Sequence, residues 1–411
     1  MKEIFINFSQ LAASELMAKA LGFVTMVYLA RILGAEAFGL YGFVGALSTY
    51  AVLFSNFGIE QYSTRQLSSN TAQASSVVIT SVIGSRVALS LIFSVVFVVG
   101  GYFYANNISE QLLFLFQSLS IVAFAFNLQF FLVATKSISF LSVMKGGVAL
   151  GVCLLTVLFI HNTNDLAFVS LISGVVTLAV FIIGAGYLYS KNKWAISLPS
   201  FRNCIDLVTR AAPLGFAVFM IQIYRSADII FLGFTNPGTE LGYYTGAYRI
   251  ITVLTLLPGI LYLTYVPYLA KITAGFFLSH HTRQYISLLV VSGTLISAGC
   301  FYFSDLIVLL VLGQDYLPAS DVFRVLLINV YLVYLNIAFA HLLIAWDQHK
   351  KYLFVVSTGA GINIFSNILL IPSYGIMGAA IATVFAEFAV LIVSLYYHYR
   401  LHGLFAMKGS V

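Results

Sequence analysis

Lys19, Arg86, Arg225 and Arg249 lie inside long apolar runs, and so do Asp228 and Glu387, with Glu60 at the inner end of another. A charge near the centre of a bilayer costs about 2.5–3.5 kcal/mol on insertion scales, so such residues face a bundle interior or a wet cavity. The surplus is positive, and guanidinium groups match phosphate oxygens with two parallel hydrogen bonds. The basic four are therefore candidate substrate-binding residues for an anion. Glu60, Asp228 and Glu387 are candidates for ion coupling or charge pairing.

Spacing offers a local partner to some of them. Glu15 and Lys19 stand at i,i+4 and Arg225 and Asp228 at i,i+3, so each pair can meet on one helix face. Asp228 and Arg249 could instead pair across a hairpin. Arg86 has no acidic neighbour within a helical turn and is expected to face a wet cavity. Glu387 has no partner on its own helix; it is a candidate proton carrier, or a carboxylic acid held by hydrogen bonds. The histidines, His280-His281 included, lie mainly in loops or at helix ends and form no metal motif. No nucleotide loop, His-Glu-x-x-His or Gly-x-Ser-x-Gly is present, so neither a metal nor a catalytic constellation is expected and the chain reads as a non-enzyme.

Composition sets the frame. Of the 411 residues, 61% are hydrophobic and 8% charged, with a net charge of +6. A soluble domain carries about 25% charged residues. The apolar runs are continuous rather than alternating, which excludes an outer-membrane barrel. Cys153, Cys204 and Cys300 are too widely spaced for a disulfide framework. The first apolar run has no cleavage site after a short core and is expected to stay as a span.

A span needs about 20 apolar residues. About twelve such runs occur: 11–33, 38–60, 77–103, 111–134, 143–161, 165–189, 208–234, 241–270, 284–304, 320–346, 351–372 and 376–399. The joins near Gly34 and Ser373–Gly375 are so short that they read as helical hairpins. Basic residues collect on alternate connections, from Lys2 and Arg65 through Lys191, Lys193, Lys350 and Lys351 to Arg400 and Lys408. The opposite loops (104–110, 161–165, 235–240 and 305–319) hold acidic residues and no Lys or Arg. By the positive-inside rule both termini are cytoplasmic.

The expected fold is an all-α polytopic membrane protein of two six-helix lobes, 1–189 and 208–411, joined by a cytoplasmic connection at 190–207. A weak repeat supports two halves: Glu36-Ala-Phe-Gly-Leu-Tyr-Gly after the first span matches Thr239-Glu-Leu-Gly-Tyr-Tyr-Thr after the seventh. Gly39 and Gly242 align, 203 positions apart. Paired halves suggest a transporter that rocks about a central site.

The stretch Leu29-Ala-Arg-Ile-Leu-Gly-Ala-Glu-Ala-Phe-Gly-Leu-Tyr-Gly resembles the join between spans one and two of polysaccharide-biosynthesis (O-antigen-type) flippases. These belong to the multidrug/oligosaccharidyl-lipid/polysaccharide exporter superfamily. Ser226-Ala-Asp-Ile-Ile-Phe-Leu-Gly with Leu241-Gly-Tyr-Tyr-Thr-Gly-Ala-Tyr-Arg-Ile is similar to that family's spans seven and eight. Pro372-Ser-Tyr-Gly-Ile-Met-Gly-Ala-Ala-Ile-Ala-Thr is similar to its eleven–twelve hairpin. Around the end of span four the chain departs from the family's frequent Trp and Gly-Leu-Glu and has Asn127-Leu-Gln-Phe-Phe-Leu-Val-Ala-Thr-Lys136, a difference that bears on substrate type.

The resemblance implies a MATE-like V shape and a flippase that carries an undecaprenyl-pyrophosphate-linked oligosaccharide outward across the bacterial cytoplasmic membrane by alternating access. It also implies coupling to H⁺ or Na⁺, no resident cofactor, and work alongside other polysaccharide-assembly membrane proteins. Lys19, Arg225 and Arg249 fall within matched segments and Arg86 more loosely. A multidrug exporter of the same superfamily is the alternative; it would favour an acidic cavity. A major-facilitator transporter would carry several basic residues after span two, where 61–76 has only Arg65. A pathway enzyme such as a polymerase or ligase would need a large catalytic outer loop. A passive channel fits the two-half repeat poorly.

Overall fold

A computed structural model of the chain describes residues 2–69, 72–190, 199–270 and 279–402 in backbone, with side chains over 14–68, 77–190, 199–270 and 279–400. The elements are helices: α1 (Lys2–Asn56), α2 (Ile59–Ser69), α3 (Ala72–Tyr104), α4 (Ile108–Phe124), α5 (Gln129–Ala134), α6 (Ile138–Phe159) and α7 (Leu166–Ser190). There follow α8 (Phe201–Thr235), α9 (Thr239–Leu254), α10 (Leu256–Leu269), α11 (His280–Tyr302), α12 (Ser304–Val311), α13 (Ala319–Ala345) and α14 (His349–His402). Within a bilayer the backbone must satisfy its own hydrogen bonds, and a helix does so within one segment.

Among the described residues, ten helices are long and apolar enough to cross a membrane. Two of them, over Ser14–Asn56 and His349–Arg400, run for 43 and 52 residues. At about 1.5 Å per residue each is roughly twice the length of a hydrocarbon core. Each contains two of the twelve apolar runs, divided at a glycine: Gly34 has φ 71° and Gly375 φ 53°. Both angles lie in the left-handed region that favours glycine, and both glycines stand where the sequence indicates tight hairpins.

The fourth apolar run is not one helix. It breaks at Ala125–Leu128 between α4 and α5, and Asn127 Oδ1 accepts from the Gln129 backbone N–H at 2.9 Å. The 305–319 loop carries α12 and a 3₁₀ turn at Gln314–Tyr316.

The chain divides into two compact units. The N-terminal unit runs to Phe219 and the C-terminal unit starts at Met220, with Phe38–Leu40 belonging to the latter. The division therefore falls inside α8, not at 190–207 as the sequence suggested. The reason is packing: Leu207 and Ala211 of α8 join Ile59, Val82, Phe130 and Leu141 in the N-terminal core. Gly58 and Gly215 also meet so closely that a Cβ on Gly58 would lie 2.4 Å from the Gly215 nitrogen. Lys191, Lys193 and Trp194 of that connection lie outside the described residues.

In the N-terminal unit Gln117 of α4 ties α1 to α7, donating to Ser48 at 3.0 Å and accepting from Ser170 at 2.6 Å. In the C-terminal unit α13 packs against α9, α10, α11 and α14, and Phe323, Leu326, Val330, Tyr334 and Leu342 are fully buried. Large apolar side chains such as Val95, Phe103, Ile183 and Leu295 are exposed. Lipid is the natural partner of such a surface, because lipid tails are as apolar as leucine.

The aligned glycines of the repeat touch. A Cβ on Gly39 would lie 2.5 Å from the Gly242 nitrogen and 2.9 Å from its Cα. Gly39→Ala is therefore expected to destabilise the protein by about 1–3 kcal/mol, read as a lower thermal midpoint in detergent. Gly22→Ala, with nothing within 4 Å of the new methyl, is expected to be neutral or slightly stabilising.

Candidate functional site

The charged residues singled out by sequence fall into separate settings. Arg86, from α3, is fully buried in the packed interior of the N-terminal unit, not on a cavity wall. Its Nε and Nη2 donate to Asn56 Oδ1 at 3.1 and 2.7 Å, and Nη1 donates to the Asn127 carbonyl at 2.7 Å. Glu60 Oε2 lies 3.4 Å from Nη2. The guanidinium also stacks on Phe124 and Phe130, 5.0 and 5.2 Å from the ring centroids. The α4–α5 break frees carbonyls at the negative end of the α4 dipole, and a five-donor cation suits them. Arg86 and Glu60 thus join α1, α2, α3 and the break.

Lys19 and Glu15 are exposed on α1. With Asn127, Gln129, Lys145 and apolar side chains such as Leu141 and Phe181 they line a pocket of about 360 Å³ within the N-terminal unit. Lys145 adds a second cation.

In the C-terminal unit Asp228 of α8 is 2% exposed. Its Oδ1 accepts from the side-chain amides of Asn363 and Asn367 at 2.8 and 2.5 Å. Its Oδ2 accepts from the Tyr244 and Thr383 hydroxyls at 2.9 and 2.5 Å. Neither expected arginine pairs with it: among the described residues Asp228 makes no ion pair. Four neutral side-chain donors thus fill both carboxylate oxygens. Rotating the Asn363 and Asn367 amides would turn two more oxygens towards Asp228. Asn367 Oδ1 is buried without a partner as placed. With the amides so turned, carboxylate, amide and hydroxyl oxygens would together form a donor set for a hard cation. No group of three or more His, Cys, Asp or Glu suited to a metal occurs among the described residues.

Glu387, on α14 one turn beyond Thr383, is 7% exposed. Its Oε2 accepts from Asn336 Nδ2, which also donates to the Glu387 carbonyl at 2.9 Å. It lines a cavity of about 290 Å³ with Arg225, Tyr224, Tyr248, Tyr352, Asn329 and Thr383, so this cavity and the Asp228 cluster share Thr383. Arg225 and Arg249 are exposed and, like Lys19, make no ion pair among the described residues. Asn363 and Asn367 escaped the sequence reading, although two amides at i,i+4 in an apolar helix carry the same signal as an intramembrane charge.

Fold and site together define a multi-pass helical membrane protein with the fold of flippases and multidrug transporters. The backbone is similar to that of the lipid II flippase MurJ in an inward closed conformation, with a TM-score of 0.73 at 13% identity, covering 94% of this chain and 87% of that one. It is similar also to a multidrug resistance MATE family transporter in an inward-facing conformation, with a TM-score of 0.62 at 14% identity over 95% and 96% of the two chains. A 96-residue stretch is 30% identical to the uncharacterized membrane protein MJ1068 of Methanocaldococcus jannaschii, spanning 23% of this chain and only 19% of that protein. The polysaccharide biosynthesis protein family matches residues 4–273, and the chain belongs to that family.

Proposed function

We propose that the protein is a flippase that moves an undecaprenyl-pyrophosphate-linked oligosaccharide from the cytoplasmic to the outer leaflet of a bacterial cytoplasmic membrane. Transport proceeds by alternating access and draws on a Na⁺ or H⁺ gradient. One observation carries the reading: in a polysaccharide-biosynthesis chain, Lys19, Arg225 and Arg249 are exposed within apolar helices and unpaired with any described carboxylate. Cations at that depth need water or an anion beside them, and a lipid pyrophosphate supplies the anion. The pocket of Lys19 and Lys145, with Glu15 on the same wall, keeps a net positive charge beside apolar walls, which suits a lipid phosphate. Asp228, with its oxygen-rich surroundings, is the proposed coupling-ion site. Glu60, beside Arg86, serves charge pairing.

In a host lacking the protein, lipid-linked oligosaccharide should accumulate on the inner leaflet, and the wild-type chain should clear it. Arg225→Ala and Arg249→Ala should each leave the protein in the membrane. A hydrogen bond to a charged group is worth about 1.5–3 kcal/mol, so export should fall about ten- to a hundredfold in each. Normal export from either variant removes that residue from the substrate path. Clearance of a lipophilic cation with no effect on the glycan would turn the reading to drug export.

A further inference from the structure

The cavity of the C-terminal unit has features that neither charge pairing nor ion coupling uses. Asn329 and Asn336 of α13 are each 4% exposed, and the Oδ1 atom of each is buried with no hydrogen-bond partner. The orientation of Asn336 is fixed, since its Nδ2 donates to both the carbonyl and the carboxylate of Glu387; turning it would set oxygen against two acceptors. A buried acceptor left unpaired is costly, and native folds rarely leave two on one wall unless something fills them. Whatever fills them must bring hydrogen-bond donors.

The rest of the lining narrows the class. Tyr224 and Tyr352 offer ring faces and hydroxyls, and Tyr248 a ring, its hydroxyl donating to the Arg225 carbonyl at 2.7 Å; this mixture of apolar body and polar tip suits a molecule polar at its edge and apolar on its face. Glu387 and Arg225 carry opposite formal charges, so the wall has no net sign. An organic cation would want an excess of acid; Arg225, which is exposed, can meet the pyrophosphate while the uncharged lining meets the sugar. A volume of about 290 Å³ is at the small end of ligand cavities, with room for a single sugar ring and some water.

From the two unpaired amide oxygens, the tyrosine lining and the cancelling charges, we infer that the cavity bounded by α8, α9, α13 and α14 is a saccharide subsite. It holds one sugar residue of the transported glycan through its hydroxyl groups. This rests on the flippase reading above and adds to it a place where glycan, as distinct from lipid pyrophosphate, is recognised.

The test uses the purified full chain and two probes: the lipid-pyrophosphate glycan fraction extracted from the protein's own host, and undecaprenyl pyrophosphate without sugar. Wild-type protein should bind the glycosylated lipid about tenfold more tightly, the discrimination that about one net hydrogen bond supplies. Asn329→Leu, close in shape but without the acceptor, should bring the two affinities within about threefold of each other. It should leave the affinity for the bare lipid unchanged and the thermal midpoint unchanged or raised. Asn329→Ala serves if the leucine variant does not fold. A tenfold preference that survives in the variant would overturn the inference, as would a wild-type protein that binds both lipids equally; transport of the glycan would then still uphold the flippase. Binding of neither lipid by the wild type would sink the flippase reading and the subsite with it.

Discussion

Replacing Arg86 with alanine is expected to cost the protein its fold rather than only its activity. The guanidinium holds Asn56, the Asn127 carbonyl and Glu60 at one buried point and stacks on Phe124 and Phe130. Removing it leaves a carboxylate with its cation gone and an interrupted helix with a bare carbonyl. Breaking a buried pair from one side costs about 3–5 kcal/mol, a large share of the 5–15 kcal/mol that holds a typical protein together. The variant should show a sharp fall in membrane-inserted protein and in thermal midpoint. Glu60→Gln on the same background should recover part of the loss, because the unpaired charge is then gone. A stable Arg86→Ala protein with impaired export would instead put the guanidinium in the transport path.

Asp228→Asn is expected to separate transport from its driving gradient. The substitution keeps shape, and the Tyr244 and Thr383 hydroxyls can turn from donor to acceptor, so the protein should remain in the membrane. What goes is the one formal charge among oxygen ligands, and ligand charge tunes cation affinity over orders of magnitude. Delivery under an imposed gradient should fall about tenfold or more, to the level seen without one. Asp228→Ala should be worse in a different way: it strands four buried donors and should lower stability as well. Gradient-driven delivery that survives Asp228→Asn would move the coupling ion elsewhere.

These residues also mark what a sequence can and cannot disclose. The apolar runs, the hairpins at Gly34 and Gly375 and the repeat at Gly39 and Gly242 are local or periodic, and they are legible before any coordinates. Depth along a span is legible too, which is why Arg86, Asp228 and Glu387 stand out at once. Partners are not. Arg86 finds Glu60 on another helix, and Asp228 finds Asn363, Asn367 and Thr383 across more than a hundred residues. The nearby arginines at i−3 and across the hairpin are the obvious candidates from spacing, and both stay exposed without an ion pair to Asp228 among the described residues. The end of the N-terminal unit was hidden for a related reason: a polar connection at 190–207 is visible in composition, whereas the packing of Leu207 and Ala211 is not.

The central claim is that the chain carries a lipid-linked glycan across a bilayer under an ion gradient. Purified protein in liposomes, loaded in one leaflet with the glycan-bearing lipid fraction of its host, measures this directly through enzymatic access to the glycan from the other side. Arrival in the opposite leaflet should depend on the protein, quicken under an imposed Na⁺ or H⁺ gradient and lose that response in Asp228→Asn. Folded protein that leaves the glycan in its original leaflet, with and without either gradient, would contradict the account.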